Sequence, residues 1–128
     1  MKNILPTVKR WAARDPRLTL IVLDESQTNH ADYPDEFRTI RLEMILEAPR
    51  RRRRPYLHIW LPLIRRTPTF EFGGDTVLDD NGERLYASAD VEASFPSFDN
   101  ARELTAALDR ILADFLRRYA TKPRKRRS

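Results

Sequence analysis

From Thr39 to Glu47 the apolar residues Ile40, Leu42, Met44 and Leu46 alternate with Thr39, Arg41, Glu43 and Glu47. A period of two predicts a strand with one covered face. The alternation resumes after Pro55, with Leu57, Ile59, Leu61 and Leu63 on one side and Tyr56, His58 and Trp60 on the other. Two strands this close in sequence pair as an antiparallel hairpin, because a parallel pair needs a longer crossover. Their connection carries five consecutive arginines, Arg50, Arg51, Arg52, Arg53 and Arg54, between Pro49 and Pro55.

The flanking segments predict the remaining elements. Pro6 suits the first turn of a short helix, in which Val8, Trp11 and Ala12 share a face. Trp11 then reads as a core anchor. Leu18 to Leu23 is an unbroken apolar run and predicts a strand covered on both faces or lying centrally in the sheet. Asp24 to Glu36 is polar and predicts a long loop. Phe70 and Phe72 alternate with Thr69 and Glu71, after which Gly73 and Gly74 permit a bulge or bend. Asp80, Asn81 and Gly82 predict a tight hairpin turn, since Asn-Gly accepts positive φ. The returning strand places Leu85, Ala87, Ala89, Val91, Ala93 and Phe95 on one face, and its alanines are small enough for a helix to approach. Asn100 and Glu103 have the spacing of a helix-capping pair. Leu104, Leu108, Ile111, Leu112, Phe115 and Tyr119 then recur at three- and four-residue steps, as in an amphipathic helix of about five turns.

Together these elements predict an α+β fold, in which an antiparallel sheet of about five strands carries a short N-terminal helix and a long C-terminal helix on one face. Residues 1–121 are expected to form a single domain, since 128 residues suffice to bury a core without metal or disulfide. Residues 122–128, KPRKRRS, have no apolar side chain and are expected to be a disordered basic tail.

Charge changes the picture more than composition does. The net charge is +5, but residues 48–66 hold seven arginines and no acid, whereas residues 67–100 hold eight acids against Arg84. The tail adds Lys122, Arg124, Lys125, Arg126 and Arg127. Such asymmetry favours anionic partners. The absence of cysteine excludes disulfides, thiolate zinc sites and cysteine nucleophiles. No apolar run has the length of a signal peptide or a membrane span, so the expectation is a soluble, cytoplasmic protein without a membrane partner.

Arg50 to Arg54, with Arg65 and Arg66 beyond the second strand, have the chemistry to neutralise phosphates. Tyr56 and Trp60, beside Arg41 on the paired strand, resemble the aromatic platforms on which unpaired bases stack. The same face also has the composition of a protein or dimer interface, or of ordinary core. Glu43, Glu71, Asp90 and Glu92 share it and oppose phosphate binding across its whole width.

The nearest approach to a catalytic constellation is Asp24, Glu25, His30, Asp32, Asp35 and Glu36, whose spacing matches no metal motif. Three glycines in the whole chain leave no phosphate-cradling loop, and serine-nucleophile motifs are absent. The expectation is a non-enzymatic protein with no metal or cofactor. It engages nucleic acid or a ribonucleoprotein through the arginine hairpin and basic tail. The alternative is a protein-interaction module, an adaptor or inhibitor, docking on an acidic partner through the hairpin and the Tyr56/Trp60 face, with a homodimer as one form of that interface. A metal-dependent enzyme built on the Asp24 to Glu36 loop stands third.

Overall fold

The computed structural model describes residues 4–24, 38–46, 53–62, 67–78, 81 and 84–120, with backbone alone at 23–24, 38, 53, 75–78 and 84–88. Its elements are α1 (Leu5–Ala12), β1 (Thr19–Asp24), β2 (Arg38–Ile45), β3 (Arg53–Pro62), β4 (Thr69–Leu78), β5 (Arg84–Ser88), β6 (Val91–Ser94) and α2 (Ala101–Tyr119). The chain is an α+β protein with one antiparallel sheet, ordered β1-β2-β3-β4-β5, in which β6 also pairs with β4.

The alternation in β2 and β3 sets the register. Ile40 stands opposite Leu61, Leu42 opposite Ile59 and Met44 opposite Leu57, and all six are fully buried. Phe72 of β4 extends this row beside Leu57. Onto the same face α2 lays Leu104, Leu108, Ile111 and Phe115, all buried, with the Phe115 ring centred 5.9 Å from that of Phe72. The helix begins as its sequence requires: Asn100 Oδ1 accepts from the Glu103 amide at 2.9 Å and Glu103 Oε1 accepts from the Asp99 amide at 2.7 Å, satisfying donors that no helical carbonyl reaches. Val8 and Trp11 of α1 are buried in the same core. The Trp11 indole donates to Asp109 of α2 at 2.8 Å, so its one polar atom is satisfied and ties the two helices together.

Three expectations are corrected. The apolar run in β1 forms an edge strand, not a central one. Leu20, Ile21 and Val22 are each half-buried, so both faces of that edge are partly covered. The long strand expected from Leu85 to Phe95 is broken into β5 and β6 at Ala89 and Asp90. The break follows the Gly73–Gly74 bend in β4, where the register with β3 shifts between Arg54 and Tyr56. Asp90 holds the junction: its amide donates to the Phe72 carbonyl at 2.9 Å, and its carboxylate accepts from the Gly74 amide at 3.2 Å and from the Tyr119 hydroxyl. Nor does the helix dock on Ala89 or Ala93, which are exposed; the Ala87 side chain lies outside the described ones. The close approach falls at Gly74, where a Cβ would stand 3.1 and 3.4 Å from carbons of the Tyr119 ring.

Candidate functional site

Tyr56, His58 and Trp60 alternate with the core residues of β3 and so occupy the face away from the helices. Their rings form a row, edge against face, with centroids 5.2 and 5.3 Å apart. The row is not an open platform. Tyr56 is 0% and His58 1% exposed, and only Trp60 is half-buried. The Tyr56 hydroxyl donates to Glu71 Oε2 at 2.6 Å, and His58 Nε2 lies 2.5 Å from Glu43 Oε2. The expectation that Tyr56 stacks on a base is therefore corrected: its ring faces are covered and its hydroxyl is engaged.

The register explains why this network exists. His58 stands between Glu43 on β2 and Glu71 on β4, and Glu71 in turn stands opposite Glu92 of β6. Like charges directly opposite in a sheet repel. The phenol donating to Glu71 offsets that repulsion with a charge-assisted bond, stronger than a neutral one, while His58 engages Glu43. A polyanion laid across the centre of this face meets carboxylates.

Arg41 and Trp60 are direct partners across β2 and β3. Arg41 is half-buried, and its Nε is buried without a hydrogen-bond partner, as is Thr39 Oγ1 two residues earlier on the same face. Sequence reasoning passed over Thr39, because a threonine in an alternating strand has no signal that separates it from any other outward residue. Beside Trp60 a shallow groove of about 350 Å3 is lined by Thr69, Phe70, Glu71, Glu92, Ala93 and Ser94, a mixed set that includes two carboxylates.

The arginines divide between opposite ends of the sheet. Arg53 and Arg54 open β3, opposite Val77 and Thr76 of β4, and Arg54 is half-buried. Arg50, Arg51 and Arg52, in the connection that enters there, lie outside the described residues. Arg65 and Arg66 also lie outside them, in the connection leaving the far end of β3. The ten residues of β3 span about 30 Å at the usual rise of a strand. Arg41 and Trp60 belong to the end from which the Arg65 connection leaves, since only the pair of Ile40 with Leu61 separates them from the last pair, Thr39 with Pro62. Residues 25–37, with the acidic loop and His30, join β1 to β2 at that same end and are not described. Lys122, Arg124, Lys125, Arg126 and Arg127 likewise lie outside. They follow α2, whose last turn packs on β4: Tyr119 against Gly74 and Phe72, with the Arg118 guanidinium 5.7 Å from the Phe72 ring centre. This is the half of the sheet that holds Arg53 and Arg54.

Among the described residues no group of three or more His, Asp or Glu side chains could hold a metal ion. No helix there is long and apolar enough to cross a membrane. A scan against protein-family models, a search of curated proteins and a search of solved structures each found no match to this chain.

Proposed function

We propose that this chain is a non-enzymatic binding protein that engages nucleic acid, or a ribonucleoprotein, at the sheet end where the arginine connection enters β3. The observation that carries the reading is topological. Arg53 pairs with Val77 while Tyr119 meets Gly74 a few residues below, so the arginine connection and the basic segment after α2 both start from one half of the molecule. Arg50 to Arg54 with Lys122, Arg124, Lys125, Arg126 and Arg127 supply the cations, and the contact is with phosphate, independent of base sequence. Tyr56 takes no stacking role in this reading, and Trp60, seven residues along β3, lies outside the contact.

Fluorescence anisotropy with single- and double-stranded DNA and RNA, across a salt series, tests this. Serine at all of Arg50 to Arg54 flattens the slope of log affinity against log salt by about four units, since each phosphate contact contributes about 0.9. Serine at Arg65 and Arg66, at the opposite end, leaves the slope within about one unit of wild type. Failure of the wild type to bind any of the four nucleic acids at low salt sinks the reading.

A second reading rests on Trp60. A half-buried tryptophan beside Arg41 and a groove of mixed polarity has the composition of a protein-interface anchor, and the carboxylates of Glu71 and Glu92 disfavour a phosphate backbone there. If the partner is a second copy of the chain, Trp60→Ala converts a dimer to a monomer in sedimentation. A wild type that sediments as a monomer removes the homodimer.

A further inference from the structure

A groove of about 440 Å3 lies between α1 and the first half of α2, on the opposite side of the molecule from Trp60. Arg10 of α1 and Arg14, two residues past the end of that helix, line one wall, and Arg102 of α2 lines the other. Trp11 and Asp109 complete it, with the indole donating to the carboxylate at 2.8 Å. Asp109 also approaches Arg14 at 3.8 Å, so one carboxylate serves both an indole and a guanidinium. No carboxylate among the described residues pairs with Arg10 or Arg102.

The lining therefore holds three guanidinium groups against one carboxylate. Like charges gathered around one groove repel, and an anion that enters it relieves the repulsion. The excess matches the charge of a phosphate monoester, about −1.5 to −2 at neutral pH. Guanidinium forks fit phosphate oxygens in pairs, and Thr105, which also lines the groove, offers a hydroxyl. The N-terminus of α2 is not the attraction, because the Glu103 amide is already taken by Asn100. We propose that this groove binds a phosphate group through Arg10, Arg14 and Arg102. Its volume lies within the range of about 300 to 1,000 Å3 usual for ligand sites, which leaves room for a phosphate attached to a larger ligand. Both a free phosphate ester and a nucleic-acid backbone present that chemistry.

The chain has two tryptophans, so Trp60→Phe leaves Trp11 as the only indole. In that full-length variant, Trp11 emission is followed at constant ionic strength during titration with pyrophosphate and, separately, with a single-stranded tetranucleotide lacking terminal phosphate. The proposal expects a saturable change with one of the two probes. Saturation by pyrophosphate alone assigns a free ester, and saturation by the tetranucleotide alone assigns a backbone phosphate. Added singly, Arg10→Gln and Arg102→Gln each weaken that binding by about tenfold, the value of one lost charge-assisted contact. Arg110→Gln, exposed on α2 and outside the groove, leaves it unchanged. No saturation with either probe up to about 10 mM, an affinity near −2.7 kcal/mol, overturns the proposal, as does equal weakening by Arg110→Gln. None of these variants touches Arg50 to Arg54, so the outcome is separate from the salt-series test.

Discussion

Tyr119 shows how one side chain serves two layers. Its ring packs against Phe72 and Phe115, and its hydroxyl donates to Asp90 at the break between β5 and β6. Burial, reinforced by the hydrogen bond to the Asp90 carboxylate and opposed by Arg118, holds the phenol above its ordinary pKa of 10.0. The unfolded chain then releases this proton at a lower pH than the folded one. The stability that the neutral phenol contributes is complete below pH 10 and is lost as pH rises through the raised value. Urea denaturation checks this: the margin of wild type over Tyr119→Phe is expected to be narrower at about pH 11 than at about pH 9. Asp15 has the opposite sign. A side-chain hydrogen bond from Arg17 holds its carboxyl below the usual 3.8, so that pair contributes above the ordinary carboxylate pKa and is lost in acid.

Helix α2 depends on its own sequence for its start and on the sheet for its place. The Asn100 cap is exposed and its side-chain oxygen accepts from its own helix's first turn, so Asn100→Ala isolates the local term. It is expected to cost about 1 kcal/mol, which is roughly 3 to 6 °C in thermal midpoint for a domain of this size. A midpoint unchanged in differential scanning calorimetry contradicts the assigned cap. The capping pair, the apolar stripe from Leu104 to Tyr119 and the register faces of β2 and β3 were all legible from spacing, because each depends only on helical or strand periodicity. The break at Asp90 was not. Ala89-Asp90-Val91 continues a period-two pattern, and only the Gly73–Gly74 bend and Tyr119 on another element turn the chain there.

For the molecule as a whole, α1, the sheet and α2 share one core, which predicts one cooperative unfolding step. Trp11 reports from the helix layer and Trp60 from the opposite face of the sheet, so unfolding curves of Trp11→Phe and Trp60→Phe, each followed through the remaining indole, are expected to show a single transition with the same steepness. Two transitions, or clearly different slopes, refute a single domain. The same scale decides the candidate site. Arg53 and Arg54 open β3 at one end, and the connection that carries Arg65 and Arg66 follows its other end, while α2 ends over Gly74. By itself the sequence determined the α+β class, the antiparallel pairing of β2 with β3 and the capped amphipathic helix, since local spacing is carried within each segment. That Tyr56 and His58 are buried on the face away from the helices, that β1 sits at the edge of the sheet and that the strand breaks at Asp90 were decided by tertiary structure, because each depends on a partner strand or helix distant in the chain.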